Sequence, residues 1–237
     1  MFNPYLLHGL GIASSRDNIQ YSAITADGKT TTFTPVAIDE RDVEYIHERD
    51  ATKALRTLHK RNYWFQDTGS TMYFKYAACQ NDASDPMTAF IQRMKNDITA
   101  NKIKKVVIDL RENGGGSSTL LEPFMDYLAQ SPLNISGGIY VLIGRGTFSS
   151  AVLNAAILKA RTKAIFVGEE TSGSVNHFGE VRSCVLPATG RQADYSTKKF
   201  NKIRNYDGPL IPDVRIIEKF SDFENYRDAV LDYALTH

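Results

Sequence analysis

The stretch from Ile139 to Ala160 constrains this chain most, because its periodicity changes twice over a short span. Ile139 to Ile143 is a continuous apolar run, the pattern of a buried strand. Gly144-Arg145-Gly146 reads as a tight turn, and Thr147-Phe148-Ser149-Ser150 as a helix start with hydroxyl caps. From Ala151 to Ala160 only Asn154 and Lys159 are polar, so the helix is expected to be buried on most of its circumference. A serine in its first turn lies near unpaired backbone N–H groups and the positive end of the helix dipole. That environment favours an alkoxide-like oxygen, and hence a nucleophile.

The same alternation repeats on either side. Val106 to Leu110 is a strand, followed by Arg111-Glu112-Asn113-Gly114-Gly115-Gly116-Ser117-Ser118 and a helix to about Ala129. Ala164 to Val167 is a third strand, followed by the loop from Gly168 to Gly179. Strands alternating with helices imply a parallel sheet with right-handed crossovers. All strands of such a sheet end along one rim, where ligands bind. The Gly114 loop, Ser149/Ser150 and the Gly168–Gly179 loop are therefore expected to meet.

The remaining segments read as hairpins and helices around this core. Asp27-Gly28 between two β-prone runs is the strongest short hairpin signal, within an irregular or β-rich entry piece of about 45 residues. Residues 40–60 read as helix or loop. Tyr63-Trp64-Phe65 and Thr71 to Tyr76 form a second hairpin, and Val181–Leu186 with Gln192–Thr197 a third around Pro187 to Gly190. Ser84-Asp85-Pro86-Met87-Thr88 begins a helix with a cap and a proline in its first turn, running to about Thr99 and apolar at Met87, Phe90, Ile91 and Met94. Phe223 to Leu235, apolar at Tyr226, Val230 and Leu231, closes the chain as one helix. The expected division is a linking segment over 1–60 and a main domain over 61–237.

Composition excludes some classes. Net charge is +1 over 237 residues, which gives no electrostatic reason to expect nucleic acid or an anionic membrane as partner. No apolar segment approaches the roughly 20 residues that span a bilayer. Met1 to Tyr5 lacks the basic start of a signal peptide, and an extracytoplasmic location would require a leader already removed. Cys79 and Cys184 show no metal-ligand spacing and read as small buried side chains. No metal or cofactor is indicated.

Three consecutive glycines after a strand expose backbone N–H groups with no side chains in the way. They suit an oxyanion hole, or a turn needing positive φ. A phosphate cradle is disfavoured, since no Gly-Lys-Ser/Thr ending follows. Asp109 and Arg111 read as a structural pair at the strand end. For Ser149 and Ser150 the competing use is helix capping.

Four segments together resemble a known family: Val107-Ile-Asp-Leu-Arg-Glu-Asn-Gly-Gly-Gly116, Val141-Leu-Ile-Gly-Arg-Gly-Thr-Phe-Ser-Ser-Ala151, Val167-Gly-Glu-Glu-Thr-Ser-Gly173, and Leu210-Ile-Pro-Asp213. They are similar, in the same order, to the core of the tail-specific or C-terminal processing serine peptidases, the S41 family, which includes the tricorn core peptidase. The resemblance covers roughly residues 60 to 217. It implies an α/β, crotonase/ClpP-like core with parallel sheet and flanking helices, and hydrolysis of a polypeptide substrate. It places the nucleophile on Ser149 and the oxyanion donors on the N–H groups of Ser150 and a glycine of the triple, Gly115 first. Gly114, Gly116, Gly173 and Ser174 then line the substrate.

The resemblance is incomplete. The processing branch carries a general-base lysine where this chain has Ser174. The tricorn-like branch takes a histidine from an earlier segment, and no matching Asp-Gly-His stretch occurs. The chain is therefore expected to be the C-terminal part of a longer protein, whose histidine-bearing or PDZ region lies upstream. Within the chain His177 is the candidate base, and Asp207, in an Asp-Gly turn, the candidate carboxylate to orient it. Glu169 is a candidate polar group in the site or a solvated loop carboxylate. His8, His47, His59 and His237 read as surface or packing residues. The alternatives are a peptide-binding module of the same fold that does not cut, and a crotonase-like acyl-coenzyme A enzyme, which would not need Ser149.

Overall fold

The computed structural model describes residues 3–25, 27–36, 38 and 60–237. The expectation for residues 40–60 falls outside them except at residue 60, and those for His47 and His59 fall outside them. The chain divides into two compact units, Met1–Arg49 and Asp50–His237. The boundary expected near residue 60 falls where the undescribed stretch ends.

In the first unit a short helix, α1 (Pro4–Gly9), is capped by the Asn3 side chain, which accepts from the Tyr5 and Leu6 N–H groups. The sequence reading missed it. Strands β1 (Tyr21–Ile24) and β2 (Thr30–Phe33) pair antiparallel as expected, around Gly28 at φ +80°.

The second unit is built on a sheet whose chain order is β3 (Tyr63–Thr68), β4 (Thr71–Tyr76), β5 (Lys105–Asp109), β6 (Ile139–Ile143), β7 (Ile165–Gly168) and, much later, β10 (Val214–Arg215). In space the order is β10-β7-β6-β5-β4-β3. Only β3 runs antiparallel to its neighbour. The aromatic hairpin is thus part of the main sheet, and β4 is buried along its whole length.

Alternation along the strands sends side chains to two cores. Met72, Phe74, Ile108, Val141 and Ile143 pack against helices α2 (Met87–Ala100), α3 (Glu122–Gln130) and α4 (Ser150–Arg161). Tyr73, Val107, Tyr140, Leu142 and Val167 pack against the terminal helix α6 (Ala229–Thr236). Strands covered on both faces read as continuous apolar runs, which is why β5 and β6 were legible. Between β7 and β10 a separate two-stranded hairpin projects, β8 (His177–Val185) with β9 (Gln192–Phe200).

Two expectations are corrected. α2 begins at Met87 with Pro86 at its cap position. Ser84 does not cap it: the Ser84 hydroxyl donates to Asp82, and the Met87 N–H is taken by Asn81 Oδ1 at 2.9 Å. The C-terminal helix is two pieces, α5 (Phe220–Glu224) and α6. Tyr226 at φ +55° breaks the run, and Asp228 starts a new helix by accepting from the Leu231 N–H at 2.9 Å.

Candidate active site

The parallel register brings the ends of β4 to β7 to one rim: Lys75 lies beside Asp109, Asp109 beside Leu142, and Ile143 beside Gly168. Past β5 the chain is held by charge. Asp109 is fully buried and accepts from the Tyr73 hydroxyl at 2.7 Å and from Arg111 Nε and Nη2 at 3.0 and 2.7 Å. Arg111 also grips both oxygens of Asp228, the α6 cap, at 2.7 and 2.8 Å. The buried Lys75 ammonium stands 3.5 Å from Asp109 and 2.9 Å from Glu112. Burial alone would push the Asp109 carboxyl up, but the charges of Arg111 and Lys75 outweigh it and hold the group well below the usual carboxylate range. The expected Asp109–Arg111 pair is therefore present, within a larger network that fixes where β5 hands over to the glycine loop.

Asn113 then sets the loop. It is wholly buried, its Nδ2 donates to the Tyr76 carbonyl at 2.8 Å, and its Oδ1 accepts the Gly115 N–H at 2.9 Å. Its own carbonyl accepts the Phe148 N–H at 3.0 Å, which ties the loop to the turn before α4. In the sequence Asn113 is only the residue before the glycines, and nothing there signals this bridge. The Gly115 carbonyl accepts the Cys79 N–H at 2.9 Å, and the Cys79 carbonyl accepts the Ser117 N–H at 2.7 Å. In a trans peptide the N–H points opposite to the C=O, so the Gly116 N–H faces away from Cys79.

These bonds correct one expectation. The Gly115 N–H is occupied by Asn113, whereas those of Gly114, Gly116 and Ser150 have no acceptor among the described residues. Gly115 contributes by its missing side chain. At φ +106° a β-carbon there would stand 2.7 Å from Ser149 Cβ and 3.0 Å from the Ser150 nitrogen.

The turn leading to α4 is pinned by Thr147, a buried residue whose hydroxyl donates to the Leu110 carbonyl at 2.8 Å and accepts the Gly144 N–H at 3.1 Å. Ser149 sits at the cap position with φ 50° and ψ −124°, a strained conformation for a residue with a side chain. It does not cap the helix: its half-buried hydroxyl has no hydrogen-bond partner among the described residues. Ser150 does not cap either. Its hydroxyl donates to the Gly116 carbonyl at 2.5 Å and locks helix to loop.

The third loop arrives on the other side. The Ser172 N–H donates to the Thr147 carbonyl at 3.2 Å, and Gly173 packs so closely on the exposed Phe148 ring that a β-carbon would stand 3.1 Å from it. Ser174, at the position of the absent lysine, pairs with Pro209 and offers its carbonyl to His177 Nδ1 at 2.7 Å. A carbonyl only accepts, so in the neutral ring Nδ1 carries the proton and Nε2 the lone pair. Nε2 is enclosed and has no partner, and no hydrogen bond joins His177 to Ser149 among the described residues. Asp207 is exposed and makes neither a hydrogen bond nor an ion pair with His177. It occupies the Asp-Gly turn, with Gly208 at φ +91°. Glu169 pairs with Arg145 at 3.1 Å. Among the described residues His8 contacts Ala13, and His237 contacts Tyr233 and Thr236.

The rim thus presents an unbonded serine hydroxyl beside open backbone N–H groups at a helix entrance, an arrangement suited to acyl transfer. Among the described residues no group of His, Cys, Asp and Glu could hold a metal ion, and no helix is long and apolar enough to cross a membrane.

No protein-family model matches the sequence, and no curated protein matches it. Solved structures share the fold. A protein from Parabacteroides merdae provisionally named a peptidase superposes with a TM-score of 0.55 at 15% identity, over 73% of this chain and 62% of that one. A provisional S41 protease from Bacteroides fragilis gives 0.51 at 14% identity, over 73% and 56%. The tricorn protease gives 0.50 at 16% identity, over 70% of this chain and 17% of that one. The chain thus spans 62% and 56% of the length of the first two. Its mixed α/β architecture, with a mostly parallel central sheet and flanking helices, is the fold of the S41 proteases.

Proposed function

We propose that this chain is a serine-type peptidase domain with Ser149 as nucleophile. The observation that carries the reading is Ser149 itself, strained at φ 50°, with a hydroxyl that neither caps α4 nor bonds elsewhere among the described residues, pressed against Gly115. Ser149 Oγ attacks the peptide carbonyl carbon and passes its proton to His177 Nε2. The open N–H groups of Gly116 and Ser150 hold the oxyanion, each worth roughly 3 kcal/mol in the transition state. The intermediate collapses, the amine leaves with the proton from His177, and water then hydrolyses the acyl ester by the same route reversed. The Ser174 carbonyl takes the orienting part that Asp207 does not reach.

A fluorophosphonate probe tests this assignment. It is expected to label the chain at Ser149, to fail on Ser149→Ala, and to label His177→Ala at least ~100-fold more slowly, the low end of a general base's contribution. Labelling that survives Ser149→Ala overturns the nucleophile. Undiminished labelling of His177→Ala moves the base outside these residues. A second reading, a peptide-binding module that does not cut, is favoured by one observation: His177 Nε2 is enclosed and unbonded to Ser149. Peptide binding without labelling would select it.

A further inference from the structure

The β8–β9 hairpin is a part of the second unit that the six-stranded sheet does not use. Its strands pair only with each other, so the outer edges of both carry backbone N–H and C=O groups without backbone partners among the described residues. Phe178, Val181, Val185 and Tyr195 are exposed along it. A two-stranded ribbon with this much uncovered apolar surface is marginal by itself in water.

Its charge is as uneven as its packing. Between His177 and Arg204 there are six Lys and Arg residues and two acidic ones, a net +4, so the rest of the chain carries −3. Among the described residues only Lys198 of these has a counter-ion, Glu180 at 3.1 Å. Arg182, Arg191, Lys199, Lys202 and Arg204 are exposed and have no ion pair among the described residues. The register sets Phe178 opposite Lys199, whose ammonium lies 5.6 Å from the ring centroid, and Arg182 opposite Tyr195. Aromatic and cation therefore recur together along the ribbon. Its root is at the candidate site, since β8 starts at His177, bonded to the loop that touches Thr147 and Phe148.

We infer that the β8 edge takes up an extended acidic polypeptide segment as a third strand and leads it to Ser149. Backbone pairing supplies affinity without regard to sequence, and alternate side chains meet the apolar and cationic positions. Five unpaired cations select against basic segments by repulsion. The inference rests on the peptidase reading for what the segment is for, but its test reads binding alone, so a protein that binds and does not cut separates the two.

The test uses the full chain carrying Ser149→Ala and fluorescein-labelled peptides of equal length alternating valine with glutamate, glutamine or lysine, followed by fluorescence anisotropy at low and physiological salt. The glutamate peptide is expected to bind about ten-fold tighter than the glutamine one at low salt and to lose most of that margin as salt rises. The lysine peptide is expected to bind weakest. Arg182→Glu/Lys199→Glu takes the segment from net +4 to zero and should abolish the order, and Arg182→Gln/Lys199→Gln should narrow it. Both pairs are exposed, and unchanged melting curves verify the fold. Equal binding of the three peptides to the chain without these pairs, or an order untouched by the glutamate pair, overturns the inference. So does sedimentation with phosphatidylserine vesicles in the absence of peptide binding, or a dimer that the glutamate pair dissolves.

Discussion

Gly115 lies so tightly beneath Ser149 that a β-carbon on the glycine would stand 2.7 Å from the serine Cβ. The three glycines therefore differ in what they tolerate. At Gly116, φ +132°, a β-carbon would stand 2.3 Å from the Cys79 carbonyl oxygen, whereas at Gly114 nothing lies within 4 Å. Gly115→Ala and Gly116→Ala are expected to lose at least ~2 kcal/mol in urea unfolding, from positive φ and overlap with backbone or a helix start. Gly114→Ala should stay within ~0.5 kcal/mol, as surface changes do. Equal losses at all three positions would mean the loop is not packed as described.

Strain at Ser149 predicts a gain from removing its side chain. A non-glycine residue in such a region costs about 1–3 kcal/mol, and glycine returns roughly 0.5–1 kcal/mol of that through chain entropy. Ser149→Gly is therefore expected to unfold about 1 kcal/mol later than wild type while losing fluorophosphonate labelling. Ser149→Ala keeps its β-carbon and should show no such gain. Identical midpoints for the glycine and alanine variants would remove the strain from the account.

Asn113 reaches the Tyr76 carbonyl, the Gly115 N–H and, weakly, the Cys79 thiol at 3.5 Å. Asn113→Ala leaves a buried carbonyl and a buried N–H without partners and opens a void, which together cost about 2–4 kcal/mol. The same change is expected to free the Gly115 N–H and loosen the loop, visible as faster amide exchange at Gly115 and Gly116. A loss below ~1 kcal/mol would assign the loop's shape to the Cys79 bridge instead.

Much of this was legible because local and tertiary demands agree. β6 is apolar throughout and β5 over Val106–Ile108 because both faces of the sheet are covered, and Gly115, Gly116 and Gly146 stand where positive φ or a close backbone approach needs them. What was not legible depends on partners distant in sequence. Nothing near Asn113 indicates that its amide spans to Tyr76, and nothing in Ser150 distinguishes a cap from a lock on Gly116. The Gly115 N–H differs, since its acceptor is a side chain only two residues back, and an Asn before three glycines does not by its type show that its Oδ1 turns onto that N–H. The single C-terminal helix was expected because Tyr226 suits an apolar face by type. In the structure it sits at φ +55°, beside an Asp228 recruited by Arg111 from more than a hundred residues away.

That recruitment makes stability depend on acid. Burial alone would raise the carboxyls of Asp109 and Asp228, but the Arg111 guanidinium, joined at Asp109 by Lys75, holds both below their ordinary values. A carboxylate whose folded pKa is depressed contributes stability that is complete above the unfolded value, near 4, and is lost as pH falls toward the folded value. Urea unfolding of wild type should therefore change little on this account from pH 7 to 5, then weaken below about pH 4 by up to ~1.4 kcal/mol per pH unit for each carboxylate. Asp228→Asn leaves part of a buried guanidinium uncompensated, so it is expected to cost about 3 kcal/mol at pH 7. It should also flatten the acid limb, since one of the two titrations is gone. A variant that is weaker at pH 7 but keeps the full acid slope would show that Asp228 holds α6 by shape and that its charge against Arg111 is incidental.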